Sequence, residues 1–202
     1  MSLKPHIPSE EELRSASKED DDLFWDIIDG MPDHSPDVTG QPVPFSCGSH
    51  SLRHMRKMLE IVKPTNMLEI GFNLGWSAAT WMTISDTKLV SVDISTRTST
   101  MLGAKRLEAK YPDRFQFIRC DSKLVLPHLE TLGPFDLVFV DGDHSFEGID
   151  NDIQVALALN APYIFFDDWL PKYGPGTVPA IEKHNLEIIE QMGNMVLTKG
   201  IS

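Results

Sequence analysis

Met67-Leu68-Glu69-Ile70-Gly71-Phe72-Asn73-Leu74-Gly75-Trp76-Ser77 decides the fold. A short apolar run ends in Glu-x-Gly, and a second glycine follows four residues on. Ser77-Ala78-Ala79-Thr80-Trp81-Met82 then reads as the start of a helix. A buried strand, a tight glycine turn and a helix start form the ligand-binding corner of doubly wound α/β folds. Gly71 can take positive φ and leaves room for a ligand against the backbone. The N–H groups at the head of the next helix favour a carboxylate or phosphate.

Outward from this corner the chain alternates strand and helix. Strands are predicted at 66–70, 88–93, 115–119, 135–140 and 162–167, and helices at 76–84, 98–111, 122–132, 146–159 and 178–184. This alternation predicts a Rossmann-like α/β fold, a mostly parallel sheet with helices on both faces. Leu186 to Gln191 and Asn194 to Lys199 flank Met192-Gly193 and complete seven strands with an antiparallel hairpin. Upstream, Leu52, Met55, Met58, Leu59 and Val62 repeat at helical spacing between an N-cap at Ser49 and Pro64.

Residues 1–45 differ from the domain at 46–202. Ser9-Glu10-Glu11-Glu12 opens an acidic helix start. Leu23, Phe24, Ile27 and Ile28 recur at helical spacing, and Pro32, Pro36, Gly40, Pro42 and Pro44 break any regular element. An arm is expected, packed on the domain surface. A lid over the ligand and a homodimer contact are the other readings.

The 202 residues suit one domain plus an arm, with enough core to need no disulfide staples. The two cysteines, Cys47 and Cys120, suggest no disulfide framework, so a reducing cytoplasm is expected. The net charge of −12 argues against nucleic acid or an anionic membrane as partner. No apolar run is long enough to span a bilayer, and the start lacks a basic-then-apolar leader pattern.

The informative residues are those just after each strand, because ligands of such sheets bind there. After the first strand, Gly71 and Gly75 flank Asn73, without the second glycine that lets a pyrophosphate approach. A smaller group, such as an amino-acid end, fits better, and Ser77 can donate to its carboxylate. After the second strand, Asp93 stands with Ile94 beside it, at the distance where an acid accepts from ribose hydroxyls. After the third, Asp121 and Ser122 open the next helix. Asp121 caps that helix, accepts from an adenine amino group, or both.

After the fourth strand comes Asp141-Gly142-Asp143-His144-Ser145-Phe146-Glu147, and after the fifth Asp167-Asp168-Trp169. Neighbouring strand ends bring Asp141, Asp167 and Asp168 together. Such a cluster is costly without a cation, and carboxylates suit Mg²⁺. The alternative is that Asp143 caps the next helix while one aspartate is protonated or solvated.

Glu69-x-Gly71-x-x-x-Gly75-Trp76-Ser77 with Asp93 resembles motif I and the ribose acid of class I S-adenosylmethionine-dependent methyltransferases. The Asp141–Glu147 run with Asp167-Asp168 resembles their family-24 type, similar to macrolide-sugar and catechol O-methyltransferases. The resemblance covers residues 46 to 200. It implies that Glu69 and the turn Gly71-Phe72-Asn73 through Gly75 hold the methionine end, with Ser77 on its carboxylate. It places ribose at Asp93 and adenine at Asp121 and Ser122, with Ile94 and Asp141 also among the cofactor-binding residues. It implies metal ligands at Asp141, Asp167 and Asp168, and a catalytic pair of Asp141 and His144. Two departures stand out: Asn160-Ala161-Pro162 replaces the glycine pair before the fifth strand, and His144 stands where the catechol enzymes carry lysine.

The expected activity is Mg²⁺-assisted O-methylation of a small-molecule hydroxyl. The competing readings are a metal-independent small-molecule methyltransferase, a non-catalytic binder of the cofactor or its product, and a nicotinamide dehydrogenase. The missing second glycine disfavours the last. A base-methylating nucleic-acid enzyme is disfavoured by Asp141-Gly142-Asp143-His144 and by the lack of a basic patch.

Overall fold

The structure, a computed structural model, describes residues 49–200, with side chains from Leu52 onward. The expectations for the arm and for Cys47 lie outside the described residues. Helix α1 (Ser49–Val62) leads into β1 (Asn66–Ile70), α2 (Trp76–Ile84), β2 (Lys88–Asp93), α3 (Thr98–Lys110) and β3 (Phe115–Arg119). A 3₁₀ turn (Ser122–Leu124) and the short α4 (Leu126–Leu129) precede β4 (Leu137–Val140), α5 (Phe146–Ala158), β5 (Tyr163–Phe166), α6 (Thr177–Lys183), β6 (Ile188–Met192) and β7 (Met195–Lys199).

One seven-stranded sheet runs β3-β2-β1-β4-β5-β7-β6. The first five strands are parallel, and β7 joins β5 antiparallel through pairs such as Phe165↔Leu197. The chain winds outward from β1 to β3 and then returns to β4 on the other side of β1. The crevice at that reversal is where ligands of such sheets bind.

Period-two alternation divides the core. Leu68, Ile70, Val138, Val140, Ile164 and Phe166 face α5, α6 and the α4 region, packed with Ile149, Ile153 and Ile181. Met67, Leu89, Leu137, Phe139 and Phe165 face α1, α2 and α3, packed with Met58, Trp81 and Leu107. Trp81 and Phe139 meet there edge to face, with ring centroids 5.5 Å apart. Burial on both faces explains why these strands read as near-continuous apolar runs.

Two elements differ from the sequence expectation. The helix predicted over 122–132 is a 3₁₀ turn followed by one short helix with proline at its start. Pro127 has no N–H and clashes with the preceding turn, so a helix can begin there but not run through it. The fourth and fifth strands are also shorter than predicted. Asp136 stays outside β4, where its Oδ2 accepts the N–H groups of Thr65 and Asn66 at 2.7 and 3.0 Å and latches the entry of β1.

Candidate active site

A cleft of about 880 Å³ opens at the carboxyl ends of β1 to β4. Gly71, Asn73, Asp93, Ile94, Asp121, Ser122, Asp141 and His144, all singled out in the sequence, line it together. Asp167 and Asp168 follow β5 next door, where Val140 pairs with Phe166.

Gly71 has φ 103°, as its place in the turn requires. The space beside its Cα is taken by protein rather than left open: a Cβ there would lie 2.0 Å from the carbonyl oxygen of Asp141. The turn that follows is tied to β2. Asp93 Oδ2 accepts the N–H groups of Phe72 and Asn73 at 2.8 and 2.7 Å, and Oδ1 accepts that of Ser95 at 2.7 Å. Asp93 therefore shapes the loop as well as lining the cleft, and only Oδ1 keeps room for a further donor.

Four other expected residues sit behind the wall. Phe72 turns inward onto Phe117, with ring centroids 5.0 Å apart, and is buried. Gly75, with φ 85°, is packed under the Phe72 ring, where a Cβ would approach to 2.3 Å. Ser77 and Glu69 are buried on the helical face of α1, α2 and α3. Ser91 donates its hydroxyl to Glu69 Oε2, while Glu69 Oε1 is buried without a partner. Burial pushes the Glu69 carboxyl up to about 7, against the opposing bonds from Ser77 and Ser91.

At the β3 exit, Asp121 caps the 3₁₀ turn by accepting from Lys123 N at 3.0 Å, which leaves Oδ2 for other use. Ser122 is not alone. Its Oγ accepts from Asn151 Nδ2 at 3.1 Å, and the same amide donates to Asp152 Oδ1 at 3.0 Å. Asp152 is 2% exposed yet borders the cleft. The sequence reading passed over it. The signal was there: it stands in the apolar stripe Ile149, Ile153, Ala156 of α5, where a charged residue is out of place.

The acids converge at the β4 and β5 exits. Asp141 and Asp167 share a hydrogen bond. Burial, then the negative neighbours Asp167, Glu69 and Asp168, holds the Asp141 carboxyl well above the usual carboxylate range. Burial and the adjacent Asp168 push Asp167 up to about 7. The pair thus keeps a proton for want of a counter-charge. Asp143 is apart from them: it accepts from Ser145 N at 3.0 Å and Ser145 Oγ at 2.9 Å. Ser145 in turn caps α5 by accepting from Gly148 N.

His144 lies between the acids. Its Nδ1 is 3.0 Å from Asp168 Oδ2 and its Nε2 is 3.9 Å from Asp141 Oδ1. The first contact falls short of hydrogen-bond geometry and becomes an ion pair when the imidazole is protonated. The polar contact with Asp168 outweighs burial and raises the imidazole above its ordinary value. Asp168 adopts φ 51° and is braced from the hairpin turn, where Asn194 Nδ2 donates to its Oδ1 at 2.6 Å.

The donor types suit a hard divalent cation: three carboxylates, with Asp141 and Asp167 holding a proton between them for lack of one. Their placement does not close a site. Among the described residues, no group of three or more His, Cys, Asp or Glu side chains is arranged to hold a metal ion.

Comparison with known proteins decides the family. Residues 68–177, more than half of the chain, match family 24 of the methyltransferase domains. The chain belongs to that methyltransferase family. No curated protein sequence matches this methyltransferase. Its fold is shared with the SAH-bound Podospora anserina methyltransferase PaMTH1, at 17% identity, TM-score 0.63 and coverage of 99% of this chain and 100% of that one. Cofactor-bound Rv0187 from MTB gives 16% identity and TM-score 0.66 over 98% and 99%. The O-methyltransferase from Bacillus cereus in complex with SAH gives 16% identity and TM-score 0.60 over 94% of each chain. Among the described residues, no helix of the methyltransferase is long and apolar enough to cross a membrane.

Proposed function

We propose that the chain is an S-adenosylmethionine-dependent O-methyltransferase acting on a hydroxyl of a small molecule, with Mg²⁺ at Asp141, Asp167 and Asp168. The observation that carries this reading is the row of strand-end residues around one cleft: the Gly71 turn, Asp93, Asp121 with Ser122, and Asp141 with His144. Fold neighbours bound to S-adenosylhomocysteine support it.

The residues present fit the nucleoside and its tail. Asp93 Oδ1 can accept one more hydrogen bond, as a ribose hydroxyl would supply. Glu69 Oε1 is a buried acceptor with no donor, and the ammonium of a methionine tail near the turn would favour the charged carboxylate. Asn73, at φ 48°, replaces the glycine that a pyrophosphate would need, which disfavours a dinucleotide. When bound, S-adenosylmethionine supplies an electrophilic methyl, and Mg²⁺ would polarise the acceptor oxygen.

The chain's own residues orient the acceptor and move its proton. His144 Nε2 is the base: Asp168 holds the opposite ring nitrogen, so Nε2 is left toward Asp141 and the cleft. Nε2 would take the hydroxyl proton as the acceptor oxygen is presented to the methyl that the cofactor would supply. Asp168 stabilises the resulting imidazolium. Most of the barrier reduction comes from alignment, worth about 7–11 kcal/mol in a well-held pair. The acidic net charge of −12 supports a small acceptor rather than nucleic acid.

The test is titration calorimetry with S-adenosylhomocysteine, with and without Mg²⁺, followed by methyl transfer from labelled donor to a panel of phenols, sugars and hydroxy acids. Micromolar binding and a methyl ether product are expected. Absence of binding at millimolar product would end the cofactor reading, and binding without turnover across the panel would favour a non-catalytic binder.

A further inference from the structure

The buried carboxylate of Asp152 has no part in the mechanism above, and its position is costly. Placed in the apolar stripe of α5, it is 2% exposed, and burial raises its carboxyl above the usual range, with Asp143 and Asp121 adding to the rise. An apolar residue would serve the core better. What the carboxylate touches instead belongs to the cleft. Asn151 Nδ2 joins Asp152 Oδ1 to Ser122 Oγ at 3.0 and 3.1 Å, so the amide bridges the carboxylate and the hydroxyl. On the other side, Asp152 Oδ2 lies under Gly142, 3.3 Å from where a Cβ would stand. One side chain therefore braces the β3 exit against α5 directly beneath the β4 exit.

We propose that Asp152 is a positioning residue for the nucleoside end of the cleft: its carboxylate holds Ser122 and Asn151 in one arrangement and so fixes where the purine base lies. This rests on the cofactor reading above. The Ser122 hydroxyl accepts from Asn151, so its place in the wall is set by that amide. That place depends on a residue 30 positions away in sequence. The bridge is held only while Asp152 accepts from Asn151, whose amide also reaches Ser122. An amide at this position turns one acceptor into a donor and opens it.

Titration calorimetry of the full chain with S-adenosylhomocysteine and with 5′-methylthioadenosine, which lacks the amino-acid tail, tests the inference. Asp152→Ala and Ser122→Ala are each expected to weaken both ligands by about tenfold, as loss of one buried hydrogen-bond network does. The double variant is expected to be no weaker than the worse single one, because the two act through the same contact. Should Asp152→Ala fail to fold, Asp152→Asn and Ser122→Ala carry the same comparison. Binding within about twofold of wild type, a loss confined to S-adenosylhomocysteine, or multiplying losses in the double variant would overturn the proposal. Wild-type protein that binds neither ligand would instead sink the cofactor reading itself.

Discussion

Gly71 is packed against Asp141: a Cβ at residue 71 would lie 2.0 Å from the Asp141 carbonyl oxygen and 2.7 Å from Gly142 N. The glycine turn after β1 and the acidic run after β4 are one unit, held by close backbone approach. Both sides of the cleft move if either does.

Gly71→Ala therefore has two costs. The φ of 103° is unfavourable for any residue with a side chain, and the methyl collides with backbone that cannot step aside. Together they are expected to remove more than about 2 kcal/mol of stability. S-adenosylhomocysteine binding is expected to vanish, because Asp141 is displaced from Asp93. Urea denaturation and calorimetry read the two effects, and a variant with wild-type midpoint and affinity would contradict the packing described.

Glu69 makes stability depend on pH in a direction opposite to a salt-bridged acid. Its folded-state value is raised from 4.5 to about 7, chiefly by burial. Below 4.5 both states are protonated and nothing is lost. Between 4.5 and 7 the unfolded chain ionises while the native one keeps its proton, so stability falls as pH rises. At about 1.4 kcal/mol per pH unit, the whole window costs on the order of 3 kcal/mol. Asp141 and Asp167 act in the same sense, so the diagnostic is a difference. Denaturation midpoints of wild type and Glu69→Gln between pH 5 and pH 8 are expected to diverge, with the flatter profile in the variant. Parallel profiles would mean that Glu69 is ionised in the native protein. Saturating S-adenosylhomocysteine, whose ammonium would favour the ionised carboxylate, is expected to flatten the wild-type curve as well.

Asp93 carries two loads at once. Its Oδ2 holds the Phe72 and Asn73 amides, and Oδ1 is left for the sugar. Asp93→Asn sets an amide N–H₂ against N–H donors on one side or against the ribose on the other. A loss of about 10–100-fold in S-adenosylhomocysteine affinity is expected, in keeping with charge-assisted bonds. 5′-Methylthioadenosine is expected to lose as much, since it keeps the ribose. Equal binding by variant and wild type would assign Asp93 to the loop alone.

Much of this was legible from the residues in order. Apolar runs bounded by turn residues place the strands, and strand ends place Asp93, Asp121 and Asp141 in one crevice. The pairing of Val140 with Phe166 brings Asp167 and Asp168 alongside Asp141, as adjacent parallel strands require. Less visible was the direction in which each side chain points. Glu69 alternates with Leu68 and Ile70, so it falls on the α1–α3 face and under the wall. Phe72 turns inward because the amides of its loop are tied to Asp93, and Gly75 closes over its ring. Asp152 is reached only when the phase of α5 is combined with the position of Ser122. Asn194 braces Asp168 from a hairpin turn that local sequence marks simply as a turn.

The acidic cluster gives the sharpest test of metal dependence. Asp141 and Asp167 share a hydrogen bond and both titrate high, because burial and mutual repulsion act without a counter-charge. A divalent cation binding there must displace that proton, so binding is coupled to proton release. Mg²⁺ titrated into the protein at pH 6.5 is expected to give heats that differ between buffers of different ionisation enthalpy, by an amount corresponding to about one proton. Asp141→Asn combined with Asp168→Asn is expected to abolish both the heat and methyl transfer. His144→Ala is expected to keep measurable turnover, since a general base supplies only about 10²–10⁴ in rate. Buffer-independent heats, or full turnover in excess chelator, would leave the two acids as a proton-sharing pair beside His144, and the reaction would then proceed without a metal.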